Sequence, residues 1–375
     1  MSVVTRQTRR RWASVAAGVG LLVAVPALTG AAANLTGRAS PPPPEVLVRR
    51  ALASADVPHS GVAQSRGILG LPDLPRLGDV AALLGGTTTT REWWSSPGSW
   101  RVDVLTSTGE QDSYGIGTDL ISWDYESSAL QLTRGTPSAR LPRADDLLPP
   151  QATRRLLAAL GPTDRVSALP GRRVAGIQAA GLQVVPGDAR SLLRRAEIWL
   201  DPGNGLPVEL DLIGRDSSTV LTSRYLQVSL RRPPPRVLVP PDPPGASHQF
   251  LIAPDIVAAV NRYLPLQLPA ALAGLPSASS RVAGTAAYGQ GLVRFVVLPL
   301  PRRLAGEALE AALRGGAATL HIQGGSAALI TSSLLDAVVA TDDGSGIGYL
   351  VAGPVTPALL EQAAAQLLAN PPPGL

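Results

Sequence analysis

Few residue types in this chain could carry chemistry. Cysteine is absent, which excludes disulfides, thiolate nucleophiles and thiolate metal sites together. The three histidines, His59, His248 and His321, stand far apart and show no paired metal spacing such as His-x-x-x-His. No Gly-x-Ser-x-Gly sequence marks a serine nucleophile. We therefore expect no catalytic residues, no metal site and no cofactor, and we interpret the protein as a non-enzyme.

Tryptophan gives the clearest sign of a binding surface. Five of the six tryptophans lie in stretches with strand-like alternation: Trp93, Trp94, Trp100, Trp123 and Trp199. Such rings normally fill a core, but a curved sheet under loose helices can also leave an apolar groove for acyl chains. Both alternatives stay open at the level of the sequence. Strand alternation predicts that the groove is one continuous apolar face: Trp100, Val102, Val104, Ile121, Trp123, Tyr125, Ile198 and Leu200.

A strand hairpin at 196–213 organises the first part of the chain. Apolar and charged residues alternate on both sides of Asp201–Gly205, a segment whose Pro, Gly and Asn residues reverse a chain readily. From Thr87 to Leu132, turn signals recur regularly, as in an antiparallel sheet. Glu45–Ala55 and Asp145–Leu160 have the apolar spacing of helices. These patterns predict an α+β domain built on an antiparallel sheet.

Proline marks a boundary after this domain. Prolines cluster at 233–235 and 240–244, which excludes a central strand there. We predict a first domain over 45–231, a Pro-rich linker over 232–247 and a smaller α+β domain over 248–375. For the second domain the pattern predicts helices at 252–263, 304–313 and 357–368, and strands at 291–298, 320–323, 326–331, 336–341 and 347–352.

The N-terminus has the features of an export signal. Four arginines within Arg6–Arg11 precede the uncharged apolar run Trp12–Leu28, and small residues follow. We predict a signal peptide or membrane anchor at 1–33 and a Pro-rich tether at 34–44. Cleavage after Ala33 and retention as an anchor both stay open. Either outcome places the remainder outside the cytoplasm, and retention would hold it at the membrane.

The overall charge argues against a nucleic-acid partner. The sum of lysine and arginine is 33, and all of these residues are arginine. The net charge is +5, and the arginines are scattered along the chain. A nucleic-acid surface would need a clustered basic stripe with interleaved aromatic side chains. We therefore predict no nucleic-acid binding.

Four stretches resemble the LolA/RseB superfamily of exported bacterial proteins. They are 60–72, where Ser60-Gly61-Val62 leads to Gly70-Leu71-Pro72, and 100–104, 119–125 and 198–208. The last, Ile-Trp-Leu-Asp-Pro-Gly-Asn-Gly-Leu-Pro-Val, is the most specific. The resemblance covers about residues 45–231. It implies a curved antiparallel sheet, or half-barrel, wrapped around helices.

The second domain resembles the C-terminal domain of RseB-type sigma-factor regulators. The matching residues are Tyr288–Leu292 and the segment Leu350–Pro357. RseB-like proteins bind an anti-sigma factor and sense mislocalised envelope molecules, whereas LolA-like carriers shield the acyl chains of lipoproteins. The resemblance thus implies lipid or lipoprotein acyl chains as ligands and a membrane anti-sigma factor as a partner.

A retained anchor would distinguish the possible functions, because a soluble shuttle would not keep one. The sequence therefore favours a membrane-tethered, non-catalytic protein that holds or senses lipid or lipoprotein and regulates an envelope partner. A soluble lipoprotein carrier of the LolA type is the alternative. An envelope enzyme is the weaker alternative, because the sequence shows no nucleophile–base pair.

Overall fold

The computed structural model describes residues 42–68, 78–105, 109–135, 137, 140–253, 255, 262, 264, 266–278, 285–344 and 346–372. The predicted leader and nearly all of the predicted tether lie outside these residues, as does most of the predicted helix at 252–263. Within the described ranges, no helix combines the length and the apolar character needed to cross a membrane.

The first part of the chain forms a twelve-stranded sheet. Strands β1–β6 are His59–Gly67, Thr87–Ser96, Ser99–Leu105, Glu110–Ile116, Asp119–Asp124 and Ala129–Arg134. Strands β7–β12 are Arg165–Val174, Ile177–Val185, Leu193–Leu200, Pro207–Gly214, Thr219–Ser229 and Ser247–Ile252. The sheet is curved and does not close, and its pairs are antiparallel except that of β12 with β6. This architecture confirms the predicted α+β fold class with a half-barrel sheet.

Helices accompany both parts of the chain. Among the described residues they are α1 (Pro44–Ala53), α2 (Gly78–Gly85), α3 (Pro149–Ala158), α4 (Arg302–Arg314) and α5 (Pro357–Ala369). The predicted helix at 145–160 is divided into a 3-10 turn, Ala144–Leu147, and α3. The division follows from proline, which is tolerated in the first helical turn but not inside a helix, so α3 begins at Pro149.

The first strand, β1, lies in the middle of the twelve-stranded sheet. From β1 the chain meanders outward to β6, crosses by way of α3, and meanders back from β7 to β11. Strand β11 then pairs with the second edge of β1, with Gly61 opposite Val228. Strand β1 therefore joins two meanders that are far apart in the sequence.

The predicted hairpin at 196–213 is confirmed as β9 and β10. Its turn closes at Gly205, whose φ of +79° favours glycine. The backbone N–H of Gly203 donates to Asp201 Oδ1 at 2.7 Å, an Asx turn. A Cβ on Gly205 would overlap the backbone of Arg50, and the Arg50 guanidinium donates to the carbonyl of Pro202. The turn therefore also fixes the position of α1.

The second sheet has six antiparallel strands. Strands β15–β20 are Ala286–Gln290, Val293–Pro301, Ala318–Ile322, Gly325–Ile330, Asp336–Asp342 and Ile347–Gly353, and Ala271–Leu272 (β13) pairs with Leu275–Pro276 (β14) beside them. One face packs on α5 through Leu360 and Val351, and the other packs on α4 through Ala312 and Val339. The predicted strands and the last two predicted helices of this part correspond to these elements within a few residues.

The Pro-rich segment is not only a connection. It runs from the end of β11 and continues into β12, which pairs in parallel with β6 from Ser247 opposite Ala129 to Ile252 opposite Arg134. Residues 247–252 thus belong to the first sheet, although the sequence places them in the linker and the second domain. All six are exposed, with 74% of Phe250 and 87% of Ile252 accessible.

The two sheets also contact each other directly. Leu192 donates its backbone N–H to the carbonyl of Pro354 at 2.9 Å, and Thr356 donates to the carbonyl of Arg190 at 2.8 Å. A Cβ on Gly161 would lie 2.8 Å from the Cα of Gly291, so the backbones meet closely there. The division into two separable domains stays a prediction, to be tested against these contacts.

Candidate binding site on the first sheet

Strand registers decide which of the predicted groove residues share a face. Trp100 and Val102 lie opposite Trp94 and Glu92 of β2, and Val104 lies opposite Thr90. Thr90 pairs with Ala63 of β1, and Ala63 pairs with Tyr225 of β11. From Ser223, two residues before Tyr225, the same face continues through Leu210 to Ile198. We call this surface the helix-covered face; it contains His59, Ala63, Glu92, Trp94, Trp100, Val102, Val104, Ile198, Leu200, Leu210, Ser223 and Tyr225.

The predicted continuity with Ile121, Trp123 and Tyr125 is wrong. Val102 pairs with Ser113 of β4, and Ser113 pairs with Ser122 of β5. Ile121 and Trp123 flank Ser122 and therefore point to the other side of the sheet. Tyr125 follows them, because its hydroxyl donates to Asp112 Oδ2 at 3.3 Å. Alternation within a strand could not reveal this, since the turn lengths on both sides of β4 set the register.

Most of the predicted residues on the helix-covered face are buried. Trp100 is 7% exposed and Val102 is 1% exposed, and both belong to a cluster that includes Leu148 at the start of α3. Ile198 and Leu200 are 0% exposed and pack with residues of α1 and α3. Val104 is half-buried. This packing has the form of the closed-core alternative, and the role of these residues in lipid binding stays a prediction.

Buried polar residues lie on the same face, beneath the helices. His59 is 0% exposed, and its Nδ1 lies 2.8 Å from the carbonyl oxygen of Val57. Its Nε2 lies 2.9 Å from Glu92 Oε1. The same carboxylate oxygen accepts the hydroxyl of Tyr225. Glu92 is 1% exposed, so this group of His59, Glu92 and Tyr225 is a polar centre inside an apolar layer.

Aromatic rings and an arginine border this polar centre. Trp94 stacks on Trp100 with ring centroids 6.0 Å apart, and the imidazole of His59 stacks on Trp94 with centroids 6.2 Å apart. Arg154 of α3 places its guanidinium 5.8 Å from the ring centroid of Trp94 and donates to Ser54 Oγ at 3.4 Å. Burial lowers the pKa of Arg154, against the attraction of Glu92. The helices thus bring a cation to the edge of the buried carboxylate.

The opposite side of the sheet carries a network of ion pairs. We call it the ionic face; it contains Arg91, Trp93, Arg101, Asp103, Glu110, Asp112, Tyr114, Ile121, Trp123 and Tyr125. Arg101 donates through Nε to Asp103 Oδ1 at 2.5 Å and through Nη2 to Asp112 Oδ2 at 2.9 Å. Its guanidinium lies 4.9 Å from the ring centroid of Trp93 and 5.2 Å from that of Tyr114. Arg101 is therefore held by two carboxylates and two rings.

Burial changes the acidity of these carboxylates. Desolvation raises the pKa of Asp103 to about 7, although hydrogen bonding to Arg101 opposes it. Desolvation also raises the pKa of Asp112, and again Arg101 opposes the change. Like charges close together add to both shifts. Burial of carboxyl groups on the ionic face therefore favours their protonated form.

Three of these carboxylates lie close enough together to be considered as ligands of a metal ion. One oxygen each of Asp103, Glu110 and Asp112 lies within 4.8 Å of the others. The same groups are already paired, since Arg101 contacts both aspartates and Arg91 contacts Glu110. Two guanidinium cations beside the oxygens repel a third cation. We therefore interpret the group as an ion-pair network.

Sequence reasoning missed the polar centre and the arginine beside it. It found no metal spacing at His59 and assigned no role to Glu92 or Arg154. Glu92 does alternate in phase with Trp94 and Thr90, which is a sign that the carboxylate shares a buried face. Nothing local shows that a strand 33 residues earlier would deliver His59 to it.

Comparisons with known proteins give similarity at the level of structure. No protein-family model matches the chain, and no curated protein matches it. The MucA/MucB complex of Pseudomonas aeruginosa is 19% identical over 85% of this chain and 96% of that chain, with a TM-score of 0.49. A second structure, of MucB in complex with MucA(peri), is 17% identical over 86% of this chain and 97% of that chain, with a TM-score of 0.48.

A LolA superfamily protein of Nitrosomonas europaea is also similar. It is 13% identical over 53% of this chain and 98% of that chain, with a TM-score of 0.25. The similarity that the sequence motifs predicted is thus found among solved structures as well. The resemblance of the second sheet to an RseB-type C-terminal domain stays a prediction. The chain itself forms the curved, unclosed antiparallel sheet that the resemblance implies.

Proposed function

We propose that this chain is a membrane-tethered, non-catalytic binding protein of the cell envelope. It holds or senses the acyl chain of a lipid or lipoprotein between the helix-covered face and the helices on it, and it regulates a membrane partner such as an anti-sigma factor. One observation carries the proposal: a broad apolar face with a polar centre is covered by two short helices.

The contacts of α1 and α3 show how these two helices are held on the sheet. Helix α1 has ten residues and packs through Leu47 and Ala51. At its C-terminal end Arg50 is held by the turn at Pro202–Gly205. Helix α3 also has ten residues; Leu157 is buried in the same cluster, and Ala152 and Leu156 pack against it. Short helices owe their stability to such packing, so a ligand that replaces these contacts can displace them.

The buried state of the polar centre supports binding rather than catalysis. His59 and Glu92 are enclosed beneath the helices, so a water-borne substrate does not reach them in this conformation. A general base must lie within hydrogen-bonding reach of its substrate. An acyl chain, by contrast, gains free energy when it enters a dry, enclosed layer, at about 0.8 kcal/mol for each buried methylene.

The location and the partner are proposed from the sequence. The arginine cluster and the apolar run at 1–33 support export and a tether. The motif resemblance implies an anti-sigma factor as partner, because RseB-type proteins bind one. A tethered sensor that changes shape when its cover opens could report the ligand to such a partner.

Lipid extraction tests the ligand part of this proposal. The exported full-length protein is purified without detergent, and extracted lipids are identified by mass spectrometry. We expect stoichiometric acylated molecules. Added acyl chains that carry bromine should quench the fluorescence of Trp94 and Trp100, and Trp100→Phe should reduce that quenching. A lipid-free protein with no quenching would contradict the proposal.

A reporter and a binding assay test the remaining parts. An enzyme reporter that is active only outside the cytoplasm, fused after Leu375, should be active. The extracytoplasmic segment of an anti-sigma factor from the same cell should bind the protein, with an affinity that changes when lipid is added. Equal affinity with and without lipid would contradict the sensing role.

A further inference from the structure

We infer that the polar centre beneath α3 binds the uncharged, hydrogen-bonding head of an acyl ligand, such as the hydroxyl and ester groups of an acylglycerol. This inference rests on the proposed function and adds the part of the ligand that the helix-covered face recognises. Apolar residues alone would accept any hydrocarbon chain. The polar centre would give preference to a chain with a particular head.

Buried polar atoms without partners point to this ligand. In the part of the chain that the structure describes, Glu92 Oε2 and Thr153 Oγ1 are buried and have no hydrogen-bonding partner. Both amide atoms of Gln151, also on α3, are in the same condition. Thr153 is 0% exposed and Glu92 is 1% exposed. Folded proteins rarely leave buried polar atoms unpaired, because each one costs the free energy of its lost hydration.

The residues that carry these atoms lie on α3 and on the face of the sheet that it covers. Thr153 lies between Pro150 and Leu157 on the buried side of α3. The next residue, Arg154, reaches over Trp94, which is two residues after Glu92 on the same face of β2. Strand β11 brings Tyr225 to Glu92 from the other side. The unpaired atoms are therefore distributed over α3 and the strands that it covers.

The chemistry of these groups selects the head. Glu92 Oε2 accepts a hydrogen bond, Arg154 donates, and the hydroxyl of Thr153 does both. The charges of Glu92 and Arg154 oppose each other, so the site has no excess charge with which to attract an anion. A hydroxyl beside an ester provides one donor and several acceptors. Trp100 and Val102, next to the polar centre on the same face, would then contact the acyl chain.

Replacing Thr153 separates a binding site from an imperfect core. Thr153→Val keeps the shape of the side chain and removes the unpaired hydroxyl. It should raise the melting temperature of the full-length, ligand-free protein, because an unpaired buried group is lost. It should weaken the binding of monomyristoylglycerol about tenfold. Binding of methyl myristate, which has the same chain without the hydroxyls, should change less than about twofold.

Two further variants provide the controls. Thr153→Ser retains the hydroxyl and should keep the preference for monomyristoylglycerol. Thr222→Val removes a hydroxyl from the other side of the sheet, where it donates to Asp211 Oδ1. It should change the affinity for neither probe. Glu92→Gln keeps the size of the side chain and should weaken the binding of monomyristoylglycerol more than that of methyl myristate.

The outcomes distinguish this inference from the proposed function. Weaker binding of monomyristoylglycerol alone by Thr153→Val supports the inference. Equal affinities of the parent protein for both probes would overturn it while the acyl site remains, and would assign the unpaired atoms to bound water. If neither probe binds the parent protein, both the inference and the proposed function fail.

Discussion

The two faces of the first sheet hold their buried charges differently. On the ionic face, the carboxylates of Asp103 and Asp112 meet the guanidinium of Arg101 at hydrogen-bonding distance. On the helix-covered face, Glu92 meets a histidine and a tyrosine, and its Oε2 has no partner among the described residues. Glu92 Oε2 is not alone in this, because Asp112 Oδ1 on the ionic face also lacks a hydrogen-bonding partner among the described residues. What differs is the cation: Asp103 and Asp112 share a guanidinium at hydrogen-bonding distance, whereas Glu92 is joined to an imidazole and a phenol. Removing the cation from a buried pair is costly for the fold, whereas a buried carboxylate that no guanidinium contacts is a candidate binding group.

Removal of the arginine should have the largest effect. In Arg101→Met the carboxylates of Asp103 and Asp112 lose their shared cation while they stay buried. Breaking such a network costs about 3–5 kcal/mol of the free energy of unfolding. Urea denaturation of the full chain measures it. The control is Arg303→Met, since Arg303 is exposed on α4 and forms a surface pair with Glu307, so no loss should be measurable. Equal losses for both variants would show that the ionic face is not a structural network.

A substitution in the turn beneath α1 should have the second-largest effect on stability. Gly205→Ala places a Cβ at a positive φ and against the backbone of Arg50. We expect a loss of about 2 kcal/mol or more, because the turn is strained and α1 is pushed away. The matched control is Gly203→Ala, where the nearest atom is the flexible Asp201 carboxylate at 3.1 Å. Hydrogen exchange should show faster opening of α1 in the first variant only. Unchanged hydrogen exchange in α1 would mean that the turn does not hold this helix on the sheet.

The pH dependence of stability should show a smaller effect. A carboxyl whose pKa is raised from 3.8 to about 7 by folding binds more protons in the folded state between these values. Asp103 therefore destabilises the fold as the pH rises from about 4 through 7. The melting temperature should be higher at a pH of about 5.5 than at about 8, and Asp103→Asn should reduce that difference. A melting temperature that rises with pH, and does so equally in both proteins, would contradict the assignment.

The smallest effect is expected for the second aspartate. Asp112→Asn keeps an acceptor for Arg101 and for the hydroxyl of Tyr114 while it removes one buried charge. Desolvation already disfavours that charge, since it raises the pKa of Asp112. We expect the free energy of unfolding to change by about 1 kcal/mol or less. A loss as large as that of Arg101→Met would mean that the charge of Asp112 is essential.

Local signals in the sequence predicted the elements well. Asp201–Gly205 has the residues that a tight reversal needs, so the hairpin of β9 and β10 could be located from them. The strands of the second sheet were recognisable because apolar residues recur between short turns. In contrast, β12 lies directly after a Pro-rich segment, and its pairing with β6 depends on a contact far away in the sequence. The propensities of Ser247–Ile252 alone could not show that.

The candidate site was less predictable than the fold. Trp100, Val102, Ile198 and Leu200 do share a face, but Trp123 does not, because one residue of register turns a side chain to the other side. The polar centre requires His59, Glu92 and Tyr225 from three strands and Arg154 from a helix. Such a meeting arises from the assembled sheet, and no short stretch of sequence records it.

The central place of β1 has a consequence for how the chain folds. During synthesis the residues emerge in order, and β1 can pair with β2 soon after both have left the ribosome. Its second edge stays open until Val228 arrives to pair with Gly61. Folding that waits for such distant pairing is slow, and an open strand edge invites association with other chains. A newly made molecule should therefore depend on chaperones until β11 closes the middle of the sheet.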